Sequence, residues 1–171
     1  MPNQKLYENY PPLTVAISSL VSLLIYLLGG LILSDFGVLT VILFILYCLA
    51  FEIRLLKYSC VNCYYYGKLC FSGKGMLCSF FFKKGDPGKF ACKQVTGVQL
   101  IPDLLIVLIP FLAGIYLSIV DFSWLRLGEI LLLVILGFPV IGYLRGNLAC
   151  LFCKQRELGC PAEKLFGKSK A

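Results

Sequence analysis

The sequence contains no histidine. That removes the usual general base, the usual haem ligand and the side chain that titrates near neutral pH. Acid is scarce too, with nine Asp and Glu against sixteen Lys and Arg. No stretch alternates strictly between polar and apolar residues, which excludes the strands of a membrane β-barrel. There is no phosphate loop: Gly73 and Gly75 in FSGKG have neither the Walker spacing nor the following Ser or Thr. Ionisable residues are missing from the middle of the apolar runs, since Glu52, Arg54, Asp103 and Arg145 all fall toward their ends. Ion and proton pathways carry buried charge along their length, so translocation is disfavoured.

What is abundant is apolar surface. The chain is 59% apolar, with mean hydropathy +0.85, where soluble domains are roughly half apolar. A bilayer span needs about 20 apolar residues to cross a hydrocarbon core of about 30 Å. Residues 13–34, 36–56, 100–120 and 127–149 each meet that requirement. The links at 34–37 and 121–126 are short, so spans one and two form one antiparallel hairpin and spans three and four another. Pro110 and Pro139 lie inside spans and are expected to bend them. Ser18 with Ser22, and Gly114 with Ser118, suit close helix packing.

All the Lys and Arg except Arg126 lie in the N-terminus, the central loop, the C-terminal tail and the adjoining span ends. By the positive-inside rule, the termini and the central loop face the cytoplasm. The expected location is therefore the cell (inner) membrane, multi-pass, in contact with the lipid bilayer. The net charge of +7 is mainly this asymmetry, and no nucleic acid is expected as a partner. MPNQKLYENYPP is a poor signal n-region and no small-residue cleavage site follows the first span, which is expected to be retained.

The nine cysteines carry the chemistry. CVNCYYYGKLC at 60–70 and CLFCKQRELGC at 150–160 are both Cys-x2-Cys-x6-Cys, each just past the end of a hairpin. An offset of 90 relates Cys60 to Cys150, Cys63 to Cys153 and Cys70 to Cys160. A parallel duplication of a two-span unit explains that offset. A Cys-x2-Cys knuckle points two sulfurs at one ion, and a third returns after a loop bent at Gly67 or Gly159. Each triad is one ligand short of a tetrahedron. Cys78 and Cys92 would supply two more, making two four-cysteine sites, or six cysteines would hold two metals through bridging sulfurs. The candidate metal ligands are therefore Cys60, Cys63, Cys70, Cys78, Cys92, Cys150, Cys153 and Cys160. Thiolate sulfur suits zinc or an iron–sulfur cluster. Zinc is preferred, by the spacing and by Lys57, Lys68, Lys154 and Arg156, which offset thiolate charge. A reactive pair, Cys60/Cys63 or Cys150/Cys153, is a third reading. Cys48, inside the second span, reads as a small buried apolar residue.

Residues 76–90, MLCSFFFKKGDPGKF, read as a segment in the membrane interface, with rings in and ammoniums out, ended by a turn at Gly85-Asp86-Pro87-Gly88. Tyr64, Tyr65 and Tyr66 read as anchors at the same level.

Two resemblances accompany these residues. The twin Cys spacing resembles the zinc binuclear-cluster module of fungal transcription factors, in which six cysteines hold two zinc ions. It implies that ligand geometry, and no DNA binding, since the first half here has CYYYGKLC where that family is basic. YYYGKLC, FFFKKGDPGKF and RGNLACLFCKQRELGCPAEKLF together resemble small cysteine-rich four-span membrane proteins of bacteria and archaea, a likeness that implies no activity, cofactor or catalytic residue.

The expected fold is an all-α integral membrane protein: four transmembrane helices as two pseudo-symmetric hairpins with a cytoplasmic Cys-rich layer. The expected organisation is 1–75, first hairpin and triad; 76–99, interfacial loop; 100–171, second hairpin, triad and tail, within one compact domain. The expected function is a metal-binding scaffold or docking subunit for a cytosolic or membrane partner. The alternative is a membrane redox protein with iron–sulfur centres or a reactive Cys pair. The sequence does not decide whether the protein is an enzyme, and it identifies no catalytic residue.

Overall fold

A computed structural model describes residues 6–86 and 97–157. Their regular elements are all helical, with no strand among the described residues and one isolated bridge between Tyr7 and Cys153. The long helices are α1 (Pro12–Ser34), α2 (Val38–Tyr58), α4 (Gly97–Val120) and α5 (Trp124–Phe152). A short helix, α3 (Lys74–Phe81), lies in the central loop. Four helical spans, Pro12–Ser34, Val38–Asn62 (α2 with the turn after it), Leu100–Val120 and Trp124–Phe152, of 23, 25, 21 and 29 residues, are long and apolar enough to cross a membrane, as expected of a multi-pass membrane protein.

The helix ends follow local chemistry. Gly37 takes φ +101°, a conformation open to glycine, and turns the chain between α1 and α2. Thr40 Oγ1 donates to the carbonyl of Leu33, which the end of α1 leaves without an intrahelical partner, and to that of Gly37. The fourth span departs from a regular α-helix. It widens to π-helix at Leu136–Val140 and again at Leu144–Ala149, then tightens to a 3-10 turn at Cys150–Phe152. Pro139 lies in the first widened segment, where its missing N–H and its ring disfavour the regular α ladder.

The chain forms two compact units, and α1, α2 and α5 each contribute to both. One comprises Val21–Glu52 and Thr96–Ile141. Its core includes Ile25, Ile32, Phe44, Cys48, Ile106, Val107, Pro110, Ile130 and Leu133. Small residues set the helix spacing, as the sequence indicates for Gly114. A Cβ there would stand 2.7 Å from Ile130 Cγ1, and one at Gly29 would stand 2.8 Å from the Phe44 ring. Arg126 joins the two short links, pairing with Asp35 at 2.9 Å and donating to the carbonyls of Asp121 and Leu117. Near the other end of α2, Tyr26 donates to Glu52 Oε1 at 2.6 Å, so a carboxylate inside a span has a partner.

The other unit comprises Met1–Leu20, Ile53–Val95 and Gly142–Ala171. It contains every described cysteine except Cys48.

Candidate functional site

Both Cys-x2-Cys segments fold into the same turn. Cys60–Asn62 and Cys150–Phe152 are 3-10 turns. The N–H of Cys63 returns to the Cys60 carbonyl at 3.2 Å, and that of Cys153 to the Cys150 carbonyl at 3.5 Å. Cys63 (φ −84°, ψ 150°) and Cys153 (φ −82°, ψ 119°) then leave the turn extended. A second turn follows each, with Tyr66 N–H to the Cys63 carbonyl and Arg156 N–H to the Cys153 carbonyl, both at 3.1 Å.

The two turns are tied to each other reciprocally. The Tyr65 hydroxyl accepts the Lys154 N–H at 3.0 Å, and the Gln155 Oε1 accepts the Tyr64 N–H at 2.7 Å. Positions 64 and 154, and 65 and 155, differ by the same 90 as the cysteines. Both side chains are almost fully buried, where an unmade hydrogen bond is costly. Tyr65 also donates to the Tyr7 carbonyl at 2.6 Å. Burial pushes the Tyr65 phenol up to about 12, partly offset by the Lys154 N–H it accepts.

The N-terminal segment before α1 straps both turns. Tyr7 N–H bonds the Phe152 carbonyl and Tyr10 N–H the Leu69 carbonyl, each at 3.0 Å. The Tyr10 hydroxyl donates to the Ala149 carbonyl at 2.6 Å. Leu69 and Ala149 immediately precede Cys70 and Cys150. Burial pushes the Tyr10 phenol far above its usual range, and the adjacent Cys153 acts in the same direction. On the rim, Glu8 pairs with Lys154 Nζ at 2.6 Å, which lowers the carboxyl pKa and raises that of the ammonium.

Between the turns lies a cavity of about 230 Å³. Five triad cysteines line it: Cys60, Cys63, Cys70, Cys150 and Cys153, together with Tyr10, Tyr65, Phe71 and Arg156. Cys70 is held by the loop it begins. Gly73, at φ +70°, turns the chain back so that the Gly75 N–H reaches Cys70 Sγ at 3.2 Å. Gly75 has no room for a side chain, because a Cβ would run into the carbonyl oxygens of Tyr65 and Lys68.

The described cysteines are all thiols. As they stand, no three Cys, Asp or Glu among the described residues are grouped tightly enough to hold a metal ion. Cys78 is fully buried on α3, does not line the cavity, and its S–H donates toward the Leu56 carbonyl at 3.6 Å. Burial pushes its thiol up. Cys92 and Cys160, with the Gly159 bend, lie outside the described residues. Cys48 is buried in the membrane-span unit, as expected of a small apolar residue. The sequence reading missed Tyr7, Tyr10 and Gln155. The offset of 90 from Tyr65 was the one available signal for Gln155. No family model, curated protein or solved structure matches the chain.

Proposed function

We propose that this is an inner-membrane protein built as two pseudo-symmetric hairpins with both termini cytoplasmic, whose two cysteine triads form one shared metal–thiolate centre. The observation that carries the proposal is the single cavity walled by five triad cysteines. The matching turns and the reciprocal Tyr65 and Gln155 bonds support the pseudo-symmetry, since two copies related by a two-fold make each contact twice. The Lys and Arg distribution supports the orientation.

Five thiols on one wall favour a shared centre over two separate four-cysteine sites, and the buried Cys78 is left out of the ligand set. The donors are Cys60, Cys63, Cys70, Cys150 and Cys153, with Cys160 as the sixth. An all-sulfur set of this size suits a pair of zinc ions bridged by thiolates. Metal bound between the turns would tie the two halves together, and the protein would serve as a scaffold or docking subunit for a cytosolic or membrane partner.

A second reading is an iron–sulfur electron carrier. It is favoured by the cavity volume, which exceeds what a single ion fills, and by the N–H on Cys70, since hydrogen bonds to sulfur tune cluster potentials. Metal analysis and the visible spectrum of anaerobically purified protein separate the two. Zinc in a colourless protein supports the first reading. Iron with acid-labile sulfide and absorbance that bleaches on reduction supports the second. Metal-free protein that takes up neither ion would overturn both.

A further inference from the structure

The central helix α3 presents a surface that the cysteine centre does not use. Gly75 and Cys78, three positions apart, are buried. The Gly67 N–H bonds the Gly75 carbonyl at 3.0 Å, and Cys78 bonds the Leu56 carbonyl, so this face is fixed in place. The opposite face is apolar and uncovered. Met76 is 44% exposed, Leu77 48%, Phe80 79% and Phe81 71%. Positions 76, 77, 80 and 81 form one stripe on a helix. Lys83 and Lys84 follow directly and are exposed.

The contacts of α3 also fix its depth. Its N-cap, Gly73, packs on Val15, the fourth residue of α1, at 3.2 Å from a Cβ built there. Cys78 meets Leu56, two residues before the end of α2. The helix therefore lies at the level where the first span begins and the second ends, which is the headgroup boundary if both cross a bilayer. Rings and aliphatic chains on one side, with ammoniums at the end, match an anionic lipid surface.

We propose that the face of α3 formed by Met76, Leu77, Phe80 and Phe81 is seated in the membrane interface and that Lys83 and Lys84 recruit anionic phospholipid to it. The occupant is the bilayer itself and not a protein groove. This does not depend on the metal reading, because none of the residues concerned lines the cavity.

The test uses full-length Phe80→Trp in a Trp124→Phe background, which leaves one tryptophan to excite selectively, reconstituted in phosphatidylcholine vesicles with and without phosphatidylglycerol. Brominated acyl chains should quench the fluorophore, more strongly when bromine is near the headgroup than near the chain end. When the brominated lipid is the phosphatidylglycerol, quenching should show its enrichment, reduced roughly fivefold for each lysine removed in Lys83→Gln and Lys84→Gln. Efficient quenching by aqueous iodide with none by bromolipid would overturn the proposal by placing the face in water. Shielding from both quenchers would overturn it by showing a second copy or another protein on the face. Leu77→Trp, read the same way, replaces Phe80→Trp if that variant fails to fold.

Discussion

Tyr65 and Gln155 stand at equivalent positions of the two cysteine segments, and each side chain accepts the backbone N–H that precedes the other. Each turn is thus held by a side chain from its counterpart. Gln155→Ala should leave the Tyr64 N–H unsatisfied and cost about 1–3 kcal/mol, and Tyr65→Phe should cost a similar amount at the Lys154 N–H. Thermal unfolding in detergent measures both. Because the two bonds clamp the same pair of turns, the double variant should depart from additivity by more than about 0.5 kcal/mol.

Metal content should divide the cysteines by position. Cys63→Ser and Cys153→Ser should each lower bound metal, since both line the shared cavity. Cys78→Ala should leave metal content unchanged and lower stability by about 1–2 kcal/mol, through lost packing against a buried wall. Metal analysis beside a melting curve separates the effects. Equal metal loss in all three variants would refute the shared five-cysteine wall.

The loop that aims an N–H at Cys70 depends on a glycine without space around it. Gly75→Ala should destabilise the protein by about 1–3 kcal/mol, because the new methyl group meets two carbonyl oxygens. Gly142→Ala is the control: nothing lies within 4 Å of a Cβ there, so the change should be neutral or stabilising by up to about 1 kcal/mol. The same melting measurement reads both.

The strap should respond to pH through Glu8 and Lys154. The carboxyl pKa is lowered by its partner, so this pairing stabilises above the unfolded value of 4.5 and is lost as pH falls through the folded value. The ammonium pKa is raised, so its share is present below 10.5 and lost as pH rises through the folded value. Amide exchange at Tyr7 should therefore be most protected between those limits, after correction for the intrinsic rate. Glu8→Gln should remove the acid limb and leave the alkaline one diminished.

The four spans were legible because length and apolar content specify them, and the observed ends fall within a few residues of the expected ones. Gly114 and Cys48 were legible for the same reason: small residues in apolar runs have few roles besides packing. The two π-widened segments of α5 were not. Pro139 gave notice of a disturbance, but whether a helix kinks or widens depends on what packs beside it. The strap was hidden too, since Tyr7, Asn9 and Tyr10 precede a Pro-Pro pair and read as an ordinary polar leader. Their bonds go to Phe152, Leu69 and Ala149, partners that no local pattern indicates.

The link made by Arg126 should be modest and salt-sensitive. Asp35 is 45% exposed, so Asp35→Asn should cost no more than about 1 kcal/mol and less at high ionic strength. Arg126→Ala should cost about 1–3 kcal/mol, because this less exposed guanidinium also serves two backbone carbonyls. Melting curves at low and high salt distinguish the two variants.

The strap has a consequence for biogenesis. Tyr7 and Tyr10 leave the ribosome about 140 residues before Phe152 and Ala149, on which they close. At typical elongation rates that interval is about seven to thirty seconds. During it the early thiols stand exposed and their lid has nothing to shut against. The thiol-lined cavity can therefore close only after α5 has emerged, and a nascent chain stalled before that point would leave its early thiols open to oxidation.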